Sequence, residues 1–296
     1  MENAAVDASS GTILSQLSTN GGWGNSNRFQ IDFSIDVYYT DSSTVQLPFT
    51  DGGVYQPDSD IPTQVPVPPG GASIGFESSQ GTTCDGGDCH YLAVDTANKK
   101  LFEVDQGSIV NNSFTSDGSV AIWDFLKIYP SSLRGDVCTS ADAGGLPIAP
   151  LLFTAEEVAA GVITHAIRFI LPNSRIQCRQ YVRPATHGTG SSNCSGWATS
   201  NGVPYGARLR LKPSFDLSTL PSAGARVVGQ ALKTYGMILA DGGQIALTAK
   251  SDASSSTKWS SLLGPTDLRA LQPVDFEMIN AGTRINFSSF DCVRNP

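Results

Sequence analysis

Long apolar runs are missing from this sequence. Nowhere do about 18 apolar residues stand together, so there is no candidate for a membrane-spanning helix. Basic residues are scarce too: 19 Lys and Arg face 27 Asp and Glu, for a formal net charge of −8 and a pI near 4.8. No Lys/Arg cluster exists, which excludes the electrostatic footprint of a nucleic-acid binder and of a protein held on an anionic membrane. A neutral or cationic partner fits this charge better. Histidine is limited to His90, His165 and His187, so a three-histidine metal centre would consume all of them. Also absent are G-x-S-x-G, the P-loop, the dinucleotide fingerprint, H-E-x-x-H and any Cys pair at the two-residue spacing of structural zinc. No metal and no cofactor is expected. The opening "MENAAVDASS" lacks a charged and then apolar leader, so it reads as a cytosolic start or as a chain that follows a removed signal.

What is present is a polar, turn-rich chain. Only 16 % of the 296 residues are charged, while 30 are Gly and 17 Pro. That composition suits short strands joined by turns, and it predicts a β-dominated α+β fold with an antiparallel barrel or sandwich core and two or three short helices. Six cysteines allow fifteen pairings. "CDGGDCH" closes a small loop, which favours Cys84–Cys89. The stretch from Cys178 to Cys194 offers a second loop, and Cys138 is then left with Cys292. Sequons begin at Asn111, Asn193 and Asn286. Cysteines, sequons and low Lys content together favour a secreted glycoprotein.

Residues 1–27 read as a polar arm and 28–296 as one β-rich domain, with a Pro-rich stretch at 57–75 as a subdomain seam. "RFQIDFSIDVYYT" alternates with period two, as a half-buried strand does. "HYLAVDTANKKLFEVDQ" reads as a hairpin, and "SVAIWDFLKIYP" as a strand or short helix. "FTAEEVAAG" is the clearest helix, with Thr154 and Glu157 forming a capping box and Gly161 ending it. "VITHAIRFIL" follows as a strand with His165 on the inner face and Arg168 on the outer. Arg210 and Lys212 give "ARLRLKPSFD" one basic face.

Carboxylates are the most productive candidates for chemistry. Glycoside hydrolysis pairs a protonated acid with a base or nucleophile, and the acid needs a poorly solvated setting. Asp142, in "TSADAGGLPIAP", lies among uncharged residues; Asp241 ends an apolar strand before two glycines. They are the expected acid and base. Either one could instead cap a turn. Arg168, Arg210 and Lys212 are candidate contacts to substrate, as are His165, His187 and Tyr181. Trp23 and Trp259 are candidate sugar-stacking platforms, although a Trp in an apolar run is more often core.

"TSADAGGLPIAPLLFTAEEVAAGVITHAIRF" resembles a large family of secreted bacterial and fungal proteins. They share (S/G)-A-D-A-x-G-L-P-I-x-P followed by E-V-A-A-G-x-I-x-H-A-x-R-F. The similarity extends to "HYLAVDTANKKLFEVD", "YVRPATH", "RLKPSFD" and "ALKTYGMILAD", and so covers about Cys89 to Gly243. The opening "NGGWGNSNRFQIDF" departs from the Asn-Pro-Trp-Asn start of the bacterial members. The resemblance implies export and a shared fold, and does not imply a particular reaction. The residues then favour a secreted, monomeric carbohydrate-active protein, a glycoside hydrolase acting on a polysaccharide. The alternatives are a non-catalytic carbohydrate-binding or cell-wall protein and a polysaccharide lyase with His187 or Tyr181 as base.

Overall fold

The computed structural model describes residues 3–68, 82–84, 89–190, 193–288 and 291–295. The rest of the expected seam, beyond residue 68, lies outside the described residues; Gln64–Val67 within it is a strand paired antiparallel with Val45–Asp51. The fold is β-rich with three α-helices, and none of its sheets closes into a barrel among the described residues.

The widest sheet has six strands in the order Ile31–Ile35, Leu247–Lys250, Ile167–Leu171, Met237–Gly242, Arg208–Leu211 and Phe276–Met278. It is mixed: Ile167–Leu171 runs parallel to Met237–Gly242 and antiparallel to Leu247–Lys250. Helix α1 (Ser10–Thr19) and helix α3 (Ala223–Thr234) each turn an apolar stripe into the main core, α1 through Ile13, Leu14 and Leu17 and α3 through Val228, Ala231 and Leu232. The first twenty residues are therefore not an arm. Their spacing of four and three, Ile13–Leu17 and Leu14–Leu17, is helical, and Ser10 Oγ accepts the Met278 N–H at 2.8 Å.

The second half is a sandwich of two four-stranded sheets. One comprises Val37–Thr40, His90–Asp95, Lys100–Asp105 and Val120–Asp124; the other Gln64–Val67, Val45–Asp51, Ser113–Ser116 and Gly107–Val110. Their facing side chains, among them Val65, Val67, Tyr91, Val104 and Phe114, form a separate core. The expected hairpin is present, and Asp95 Oδ1 accepts the N–H groups of Ala97 and Asn98 in its turn. The alternating "RFQIDFSIDVYYT" stretch is split at Asp36. Its first part pairs with Leu247–Lys250 and its second with His90–Asp95, so one run of chain joins the two halves.

Helix α2 (Ala155–Ala160) carries the expected capping box, and Gly161 ends it with a φ of 81°. His165 is not on the strand that follows, which starts at Ile167, and it does not enter the core. Its Nε2 lies 3.1 Å from Glu157 Oε1 on that helix and its Nδ1 donates to the Ala166 carbonyl. Burial works against the imidazolium, but the Glu157 carboxylate outweighs it and raises the His165 pKa. The three disulfides are Cys84–Cys89, Cys138–Cys292 and Cys178–Cys194, each worth about 2–4 kcal/mol. Asn111, Asn193 and Asn286 are all exposed.

The tryptophans fill cores. Trp23 is completely buried against Phe29 and Phe276, and its indole donates to the Leu271 carbonyl at 2.9 Å. Trp259 packs on Phe33 and Phe153. Burying a ring of this size is worth at least about 3 kcal/mol, whereas an exposed platform would forgo it. Neither tryptophan can stack on a sugar.

Candidate functional site

A cleft of about 790 Å³ lies where the sandwich meets the six-stranded sheet. Val54, Tyr55, Gln56, Asp58, Asp105, Gln106 and Ser119 line it from the sandwich side; Thr139, Ser140, Ala141, Ala143, His187 and Asp241 line it from the other. Its volume is within the range of about 300–1,000 Å³ common for small-molecule sites. None of the described lining residues is Lys or Arg.

Residues 139–143 form the floor, and side chains from both halves fix their backbone. Ser119 Oγ donates to the Ser140 carbonyl, His90 Nε2 to Ala141 and His187 Nδ1 to Ala143. The floor N–H groups in turn hold two carboxylates. Thr139 N–H donates to Asp58 Oδ1 at 2.7 Å, and Ala143 N–H donates to Asp241 Oδ2 at 3.3 Å. The glycines that follow press the loop onto its neighbours. A Cβ on Gly144 would lie 2.9 Å from the Ala240 carbonyl oxygen, and one on Gly145, at φ 76°, 2.0 Å from Thr186 Oγ1. Their place in the sequence serves this close packing and not the approach of a ligand.

Asp142 does not line the cleft. It is fully buried, and Arg168 grips both carboxylate oxygens, Nε to Oδ2 at 2.9 Å and Nη2 to Oδ1 at 2.7 Å. Arg168 Nη1 also donates to Thr248 Oγ1. Paired bidentately with Arg168 and sealed from water, Asp142 has no path to a substrate. The expectation that it is the general acid is corrected. Its uncharged neighbours in sequence mark a buried loop, and there the carboxylate is committed to a guanidinium from another strand.

Proximity itself holds. Asp241 Oδ2 lies 3.8 Å from the same Nη2 that Asp142 touches at 2.7 Å. The nearest oxygens of the two carboxylates are thus no farther apart than the sum of those distances, short of the upper end of about 9.5 Å that glycosidase pairs reach. Only Asp241 reaches the cleft, at the C-terminal end of a strand in a parallel pair, where α/β sheets commonly place ligands. Its Oδ1 accepts the Gly242 N–H at 2.6 Å. Tyr205, buried beside this group, has its hydroxyl pKa pushed well up by burial and by the two carboxylates.

Asp58, His187 and Glu103 are perturbed as well. Burial raises the pKa of Asp58, whose residue is 8 % exposed, and the N–H groups of Thr139 and of Asp58 itself, with Arg134 and Arg294 behind them, only partly oppose this. Burial lowers that of His187 to about 4, although its bond to Ala143 works the other way. With Nδ1 donating to a carbonyl, His187 is a neutral imidazole whose unprotonated nitrogen is Nε2. Beneath the floor, burial lifts Glu103 to about 7 despite N–H donors from Ala149, Trp123 and Ile148.

The remaining candidates stand away from the cleft. Arg168 is the buried partner of Asp142, and Arg210 pairs with Glu277 at 2.6 Å. Lys212 donates to the Val274 carbonyl, and Tyr181 is buried with its hydroxyl on Asp136. His187 and Asp241 are the expected residues that the fold brings to one cleft. Sequence reasoning missed Asp58 and Asp105. The signals were faint: Asp58 lies in the Pro-rich stretch, and Asp105 ends a hairpin strand whose partner starts at His90. Asp58 lies near the sulfurs of Cys138 and Cys292, but these three do not form a metal centre, because both sulfurs are in a disulfide. Comparison with protein-family models, curated proteins and solved structures gives no match, so function has to be argued from this cleft.

Proposed function

We propose that the chain is a secreted glycoside hydrolase that takes a polysaccharide in this cleft, with Asp241 as base or nucleophile and Asp58 as general acid. The observation that carries the reading is that two carboxyl groups face one cleft in different surroundings. Asp58 is buried and its pKa is raised, which suits a proton donor. Asp241 is oriented by two backbone N–H groups and stands beside Arg168. A carboxyl whose pKa is raised by burial, sharing a cleft with one held by N–H donors, is an arrangement that can divide the acid and base roles. In the reaction, Asp58 gives its proton to the glycosidic oxygen as the bond to the anomeric carbon breaks. That carbon takes an oxygen from water, directly or after a covalent bond to Asp241. The proton from water returns to a carboxylate, so charge and atoms balance.

His187, neutral and fixed on the floor, supplies a hydrogen-bonding group for a sugar hydroxyl, and Tyr55, which is 55 % exposed, offers a ring at the rim. Three disulfides and the absence of a membrane-spanning helix among the described residues are compatible with an extracellular protein. The lyase reading loses support, because a uronate needs cations and the described residues lining the cleft include none.

A reducing-end assay on a panel of polysaccharides tests the proposal. Asp241→Asn and Asp58→Asn should each lower turnover by about a hundredfold or more while substrate still binds. Binding with no turnover by the unaltered protein would make it a carbohydrate-binding module. Turnover that survives both substitutions would remove these two residues from the chemistry.

A further inference from the structure

Two aspartates meet one guanidinium. Arg168, on the strand Ile167–Leu171, is buried and reaches three side chains. Its Nε and Nη2 hold Asp142 at 2.9 and 2.7 Å, and its Nη1 donates to Thr248 Oγ1 at 2.7 Å. The same Nη2 stops 3.8 Å from Asp241 Oδ2. The tighter partner is the one that no substrate reaches: the Asp142 side chain is fully buried, whereas that of Asp241 is 20 % exposed and faces the cleft. A second link runs through the backbone. Ala143, next to Asp142, donates its N–H to Asp241 Oδ2, and the N–H of Gly144 donates to the Ala240 carbonyl at 2.8 Å. The loop that carries Asp142 is thereby pinned to the strand that carries Asp241.

We propose that Asp142 and Arg168 are a positioning pair for Asp241. This rests on the reading of Asp241 as base or nucleophile, and it states how that residue is kept ready. Arg168 supplies the positive charge that favours the Asp241 carboxylate once a substrate has displaced water from the cleft. Asp142 holds the guanidinium back, because a bidentate pair of Arg168 with Asp241 would tie up both oxygens that the chemistry needs. The negative charge of Asp142 also offsets part of the guanidinium's field, so that Asp241 is ionised without being captured. The other titratable groups facing Asp241 are Tyr205, whose hydroxyl burial keeps protonated, His187, neutral above a pH of about 4, and Asp58 and Asp105 across the cleft. None of them is altered by a substitution in the pair.

The test follows the Asp241 carboxyl by carbon NMR as pH is varied in the intact protein, its signal assigned by loss in Asp241→Asn. Reducing-end release on the polysaccharide panel is measured over the same pH range. Asp142→Asn should move the Asp241 titration about one pH unit down, as the guanidinium closes onto it. Arg168→Gln should move it at least about one unit up, and Arg168→Lys, which keeps the charge, should return it towards wild type. The acid limb of the pH–turnover profile should shift with it in each case. Where a single variant does not fold, Asp142→Leu combined with Arg168→Met replaces the pair with apolar groups. That double variant should titrate above wild type, because the nearer of the two charges removed is the positive one. An Asp241 titration that neither single variant moves, or that both move in the same direction, would overturn the inference, as would an unmoved double variant; the pair would then only brace the fold. If the titrations move as expected but the unaltered protein cleaves no polysaccharide, the hydrolase reading falls and the pair still governs Asp241. Cleavage with unmoved titrations leaves the hydrolase reading in place and removes the pair from it.

Discussion

Glu103 and His187 make opposite demands on the proton, and this can be measured. Glu103 in the folded protein keeps its proton to about pH 7, whereas an unfolded Glu loses it near 4.5. His187 is the reverse: folded it stays neutral down to about 4, whereas unfolded it protonates near 6.5. Between pH 4.5 and 6.5 the folded state therefore holds one extra proton at Glu103 and one fewer at His187. Glu103, with its raised value, contributes stability that is full below pH 4.5 and is lost as pH rises towards 7. His187, with its lowered value, contributes stability that is full above 6.5 and is lost as pH falls towards 4. Each slope is about 1.4 kcal/mol per pH unit, so over this window the two cancel.

Removing one partner exposes the other. Glu103→Gln should leave a protein whose stability, relative to wild type, rises by about 3 kcal/mol between pH 4.5 and 6.5. His187→Asn, whose amide can still donate to the Ala143 carbonyl, should fall by a similar amount over the same window. With urea m-values of about 1–3 kcal/mol/M, midpoints measured at pH 4.5, 5.5 and 6.5 should diverge from wild type by about 1 M or more. The pKa values of Asp58 and His165 are also raised in the folded state, but they act in all three proteins and drop out of the difference. Any constant penalty of the substitution shifts the whole curve and leaves its slope alone. Variant profiles parallel to wild type would show that these groups titrate in the folded protein as they do in water, and the burial argument would be wrong.

Two further substitutions probe the floor. Asp142→Asn leaves buried Arg168 with only the more distant Asp241 carboxylate, at 3.8 Å, as counter-charge and should cost up to about 3–5 kcal/mol, seen as a lower urea midpoint; a near-neutral effect would mean the pair is not sealed as described. Gly145→Ala puts a Cβ at positive φ within 2.0 Å of Thr186 Oγ1, and should cost well over about 1 kcal/mol in thermal unfolding, whereas Gly161→Ala, with nothing within 4 Å, pays for φ alone.

Local signals in the sequence carried over well. The hairpin at His90–Asp105, the capped helix α2 and the three cysteine pairs depend on neighbours in sequence, on turn chemistry or on elimination, and all are present. What failed was the assumption that a polar strand face meets solvent. Arg168 alternates with apolar residues just as a surface arginine would, yet a further layer, the loop bearing Asp142, covers that face. Period two reports which residues share a side and not what lies beyond it. Asp58 and Asp105 escaped for a related reason: they share a cleft with Asp241 only because distant parts of the chain come together, a juxtaposition that no window of sequence contains. Glu103 was not singled out either: in "KKLFEVDQ" it stands close to Lys100 and Asp105, and only the fold shows that it is buried.

The bridge between Cys138 and Cys292 spans 154 residues, and beside it Val293–Arg294 pairs with Gly135–Asp136 while Arg294 holds the loop of Asp58 and Asp60. The wall of the cleft is thus closed by residues made long after those they hold. At about 5–20 residues per second, the 154 residues between the two cysteines take roughly 8–30 s to make, time in which the sandwich can already form. Asp58 gains its final support only when Arg294 arrives, so the sandwich precedes the completed wall of the cleft.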